Sequence, residues 1–136
     1  MTAEYQWALW GVWVVLVTFV VQALVAAMAK GRQPGAIPGK MPPNLSHDSF
    51  VFRAHRTFMN SLENSPLFFG TVFLALFMGT SPGWVTGTVW VFALARIAHM
   101  VLYYAIATER NPSPRSYFFL LGLVANLVLL GALPFV

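Results

Sequence analysis

Apolar residues fill four long stretches of this chain, and the few charged residues fall between them. No charge interrupts Tyr5 to Ala29, and Trp7–Ala29 exceeds the roughly 20 residues that cross a bilayer as a helix. Asn64–Ala95 is also uncharged, but the turn sequence Thr80-Ser81-Pro82-Gly83 divides it. The pattern predicts helices over about 7–29, 54–79, 84–107 and 115–134, giving an all-α integral membrane protein. This four-transmembrane-helix bundle is expected to occupy residues 1–136 as one domain. Ala27-Met28-Ala29 imitates a signal-peptide cleavage site. However, no basic residue precedes the first span, and its apolar run outlasts the about 7–15 residues of a signal core. A permanent helix is therefore expected.

Composition agrees. Only 9% of the 136 residues are charged and 58% are hydrophobic, against about 25% charged in an average soluble domain. A globule of this size cannot hide so much apolar surface, so water is the wrong solvent. The net charge of +4 rests on eight Lys and Arg residues. These are too few to track a phosphate backbone, so no nucleic-acid partner is expected, and they orient the chain in lipid instead. The first loop and its exit carry Lys30, Arg32, Lys40, Arg53 and Arg56, and the third carries Arg110 and Arg115. The amino-terminal segment, the second loop and the carboxyl end carry none. The positive-inside rule puts loops one and three in the cytoplasm and both termini on the outer side. Trp7, Trp10 and Trp84 then fall at the outer interface, where amphipathic rings favour headgroup depth. Proline and glycine dominate the first loop, which reads as an extended surface connection. With no cysteine, there is no disulfide or thiolate metal site, and any thiol chemistry must come with a substrate.

Polar residues recur at helical spacing where lipid should forbid them. Arg53, Arg56, Asn60 and Glu63 stand at intervals of three, four and three, and Arg96, His99 and Tyr103 at three and four, each set forming one stripe. A charge near the bilayer centre costs on the order of 3 kcal/mol, so such residues face the bundle interior or a hydrated cavity and pair there. Arg96, in mid-span, is the most expensive. Glu63 could neutralise Arg96 or Arg56 as a purely structural pair. Yet cations outnumber Glu63 at this end, a deficit that an anionic ligand would fill. Gln22 and Asn126 read as polar contacts between helices. His47, His55 and His99 lack a metal-ligand constellation, and no metal is expected.

These residues resemble a known signature. Arg56, three residues, Asn60, two residues, Glu63 and then Pro66 is similar to that of the MAPEG family, the membrane-associated proteins of eicosanoid and glutathione metabolism. Arg96-x-x-His99-x-x-x-Tyr103 resembles the family's microsomal glutathione transferase and prostaglandin E synthase branches, and Arg115-Ser116 an arginine–serine pair of the latter. The resemblance implies a homotrimer, with glutathione as cosubstrate held between subunits near the cytoplasmic face. It further implies that Arg56 and Asn60 grip carboxylate and amide groups and that Glu63 takes the γ-glutamyl ammonium. Arg96, His99 and Tyr103 would complete the second wall, and Arg115 with Ser116 would face the thiol. Arg53 adds a cation, and Lys30 or Arg32 would reach a neighbour's ligand. A tyrosine that some relatives place one turn after the catalytic arginine is replaced by Phe119, with Tyr117 nearby.

The function expected is that of a glutathione transferase, or a peroxidase, acting on lipophilic small-molecule substrates drawn from the surrounding membrane lipids. The alternative is a non-catalytic protein that binds lipid or glutathione. A channel is disfavoured because the polar stripes do not reach the outer halves of helices two and three. Loop composition and the lack of a targeting extension point to a bacterial inner membrane, with the site toward the cytoplasm.

Overall fold

The computed structural model describes residues 3–135, and within them every regular element is helical. Helix α1 spans Gln6–Gly31, α2 Phe50–Phe77, α3 Pro82–Ala105 and α4 Pro114–Ala132, followed by a single 3-10 turn, Leu133–Phe135. Met1, Thr2 and Val136, which close the expected 1–136 unit, lie outside the described residues. Three helices, α1, α3 and α4 with its terminal turn, are long and apolar enough to cross a membrane. The chain is an integral membrane protein. Helix α2 is as long as any of them, but its first half carries Arg53, Arg56 and Glu63.

Local chemistry sets the boundaries. Helix α2 starts at Phe50, four residues before the expected 54, because Phe50-Val51-Phe52 already brings Val51 to the buried face. Pro82 and Pro114 sit in the first turns of α3 and α4, where a missing N–H costs nothing. Helix α3 stops at Ala105, short of the expected 107, as Ile106 turns extended. Pro66 lies inside α2 and cannot donate to the Leu62 carbonyl. The Ser65 hydroxyl donates to that carbonyl instead, at 2.9 Å. A helix in lipid tolerates proline on such terms.

Successive helices run antiparallel, so the bundle has a basic end, formed by loops one and three, and an opposite end. At the opposite end the buried Tyr5 hydroxyl donates to the Thr80 carbonyl at 2.6 Å, and Trp90 Nε1 donates to the Trp7 carbonyl at 3.0 Å. Gly11 lets α1 close on α3: a Cβ there would stand 2.5 Å from Val89 Cγ1. In the middle, the rings of Phe68 and Phe92 stack at 4.0 Å, and Gly122 of α4 packs on Phe92. Asn126 does bridge helices, donating to Thr71 Oγ1 at 3.4 Å. Gln22 does not: it is fully buried, and neither amide atom meets a partner. Trp13, Leu16, Val20 and Leu24 stay exposed along the outer side of α1.

Candidate functional site

Thr57, Ser61 and Phe68 occupy the inward face of α2, which forces its polar stripe to divide. Arg53 is buried: Nη1 donates to the His47 and Asp48 carbonyls at 2.7 and 3.0 Å, and Nη2 to the Tyr104 carbonyl at 3.4 Å. It pins the first loop to the end of α3. Arg56 and Glu63 lie on the flank, half-exposed and 3.6 Å apart. Of the two expected settings, the bundle interior or a hydrated cavity, the interior of their own protomer is not the one they take. Asn60 is half-buried between them, its Oδ1 without a partner. Glu63 neutralises Arg56, and Arg96 takes a different partner.

Arg96, His99 and Tyr103 are all buried on one face of α3. Arg96, 1% exposed, donates through Nη2 to Ser61 Oγ at 2.9 Å, and its Nε has no partner. The His99 ring meets the Tyr103 ring edge-on at 5.4 Å. Arg115, in the first turn of α4, lays its guanidinium over the Tyr103 ring, with Cζ 4.0 Å from the ring centre. Arg115 and Arg96 thus form no ion pair among the described residues, where Arg56–Glu63 is the only pairing of a Lys or Arg with a carboxylate.

Ser116 is turned to another task. It accepts the Ser113 N–H at 3.1 Å, and the two hydroxyls lie 3.0 Å apart, closing the first turn of α4. Lys30 and Arg32 end α1, where Lys30 lines a hollow with Ala27, Gly31, Ala36 and Ile37. Neither enters a side-chain hydrogen bond or ion pair with the residues above.

Residues 7–135, nearly the whole chain, match the sequence profile of the MAPEG family. The chain belongs to the MAPEG family. No curated protein and no solved structure matches it.

In this MAPEG protein two residues join the group that spacing had not singled out as a site. His47, from the first loop, touches Tyr103 Oη through Nε2 at 2.8 Å. Its Nδ1 and its backbone N–H each lie 2.9 Å from a carboxylate oxygen of Glu109, in the third loop. Those two hydrogen bonds hold the Glu109 carboxyl below the usual carboxylate range. The partners lie 62 residues apart along the chain, so no periodic signal could have announced them. Ser61 was equally silent, being one small hydroxyl among several.

Proposed function

We propose that this MAPEG protein is a glutathione-dependent transferase for lipophilic electrophiles. The observation that carries this reading is the Arg115 guanidinium over the Tyr103 ring, at the basic end and without a carboxylate partner. Glutathione brings two carboxylates, an ammonium and a thiol. It calls for several cations, one carboxylate and a group that stabilises sulfur as thiolate. Arg56, Asn60 and Glu63 would hold the peptide, with Glu63 taking the ammonium. Arg96, His99 and Tyr103 would form the opposite wall, and Arg115 would face sulfur. Ser116 remains the rival group at the thiol, although its hydroxyl caps α4. Arg53 serves by fixing the loop that bears His47. Lys30 and Arg32 would reach toward a neighbouring subunit.

A homotrimer follows from the same reading. Helix α2 has 28 residues, and at 1.5 Å per residue it is roughly 42 Å long, against a hydrocarbon core of about 30 Å. Glu63 lies near its midpoint, so an Arg56–Glu63 pair on the flank would meet acyl chains at a cost on the order of 3 kcal/mol per charge. A neighbouring subunit with a polar ligand between removes that cost. We orient the basic end to the cytoplasm by the positive-inside rule, with both termini outside. Calorimetric titration of the purified protein with glutathione tests the proposal. Saturable binding is expected, and no binding at millimolar glutathione would favour a lipid-binding protein.

A further inference from the structure

The contacts of His47 suggest more than a tie between loops. Glu109, His47 and Tyr103 come from three separate segments and are linked in series by contacts of 2.9 and 2.8 Å. Arg115 stacks on the Tyr103 ring at the far end. The side chains grade from solvent inward: Glu109 is 63% exposed and His47 21%, and Tyr103 is buried. An ionised carboxylate only accepts, so the His47 Nδ1 facing Glu109 carries the proton. In the neutral imidazole Nε2 is then an acceptor, and the Tyr103 hydroxyl donates to it. The proton of Tyr103 is thereby committed to His47, which leaves the hydroxyl oxygen free to accept from a second partner. Other charged or titratable groups around this chain include Arg53, on the His47 carbonyl, Asp48, Arg110 and Tyr104, next in sequence to His47, Glu109 and Tyr103, and His99 against the Tyr103 ring. Phe52 packs edge-on against the imidazole at 4.9 Å.

We propose that His47, oriented by Glu109, takes up through Tyr103 the proton that the glutathione thiol releases beside Arg115. This rests on the transferase reading above. The S–H bond breaks and its electron pair stays on sulfur as the thiolate. That proton passes to Tyr103 Oη while the Tyr103 hydroxyl proton passes to His47 Nε2. Tyr103 ends as it began, no group is oxidised or reduced, and the imidazolium formed is paired with the Glu109 carboxylate. Since His47 is partly exposed, the proton continues to water. Arg115 stabilises the thiolate, whereas His47 and Glu109 act through Tyr103 and are positioning residues. They govern how fast the thiolate forms rather than how tightly glutathione binds.

Stopped-flow ultraviolet absorbance on the full-length protein, mixed with glutathione at neutral pH, follows thiolate formation. General acid–base assistance contributes about 10²–10⁴-fold. Behind an intervening tyrosine, His47→Gln and Tyr103→Phe should slow the signal by about ten- to a hundredfold. For His47→Gln, calorimetry should show glutathione affinity within a few-fold of wild type. Added imidazole should restore part of the rate in His47→Gly, which a purely structural tie would not show. Nitrogen NMR of the unliganded wild type gives an independent check: His47 should be neutral with its proton on Nδ1. A proton on Nε2, or a His47→Gln variant with the wild-type rate of thiolate formation, overturns the relay while leaving the transferase reading intact. If the wild type binds no glutathione, the transferase reading fails and the relay with it.

Discussion

Arg96 of α3 donates to the Ser61 hydroxyl of α2 at 2.9 Å, while Glu63, two residues further along α2, turns away to Arg56. The most deeply placed cation of the bundle is thus held by a neutral hydroxyl, and the carboxylate that could have neutralised it faces outward. A buried donor without an acceptor costs about 1–3 kcal/mol, more when it is charged. Ser61→Ala should therefore destabilise the protein by at least about 1–3 kcal/mol, whereas Ser61→Thr, which keeps the hydroxyl, should cost less. Thermal unfolding in detergent measures the difference, and equal midpoints for Ser61→Ala and wild type would sink this account of Arg96.

Outward placement of the Arg56–Glu63 pair gives a second prediction. If Glu63 receives the ammonium of a ligand, Glu63→Gln should weaken glutathione binding by an order of magnitude or more while the proposed trimer survives native mass spectrometry. A variant that falls apart into protomers with unchanged residual affinity would make the pair structural. A protomer-only spectrum for the wild type under mild activation would contradict the trimer itself.

Much of this was legible in the sequence, for physical reasons. Uninterrupted apolar runs announce α1, α3 and α4 because lipid admits little else. Arg96, His99 and Tyr103 share a face because their spacing follows the helical period, and all three are buried on it. Spacing shows that Arg53, Arg56, Asn60 and Glu63 lie close around α2, but not which of them the neighbouring helices cover. That was decided by Thr57 and Ser61, small enough to pack inward against α3, with Arg53 drawn to loop carbonyls. His47 and Glu109 were invisible because two irregular loops meet only in the folded chain.

Ser116 and Arg115 make separable predictions. The Ser116 hydroxyl accepts the Ser113 N–H at 3.1 Å, and loss of such a hydrogen bond costs about 0.5–1.5 kcal/mol. Ser116→Ala should lower thermal stability by that order and leave turnover within a few-fold of wild type. If turnover instead drops by orders of magnitude at unchanged stability, the hydroxyl serves sulfur rather than the helix.

The tie between loops depends on pH through Glu109. Its folded-state pKa lies below the usual carboxylate range because His47 donates to it from the backbone N–H and the ring. A depressed pKa contributes stability that is complete above the unfolded carboxylate value and lost as pH falls through the folded one. Protection of the His47 amide against hydrogen exchange, corrected for the intrinsic rate, should hold at neutral pH and fall away in acid, below the ordinary carboxylate range. In Glu109→Gln, loss of the charge should lower that protection already at neutral pH. Protection that stays constant into acid would show that this carboxylate does not hold the loop.

Chemistry at sulfur is the central claim. A free cysteine-type thiol titrates near about 8.5, so only a few per cent is nucleophilic at neutral pH. Lowering that value by about two makes most of the bound thiol reactive and corresponds to about 2.7 kcal/mol of differential stabilisation. A guanidinium fixed over Tyr103 can supply it, because it stays charged and is screened less at the membrane than in water. The deciding measurement is the ultraviolet thiolate band of glutathione bound to the wild type and to Arg115→Ala at neutral pH. The wild type should show the band. Arg115→Ala should lose it, with glutathione affinity largely kept and turnover slowed by one to several orders of magnitude. An Arg115→Ala protein that keeps both the band and the rate would contradict the account.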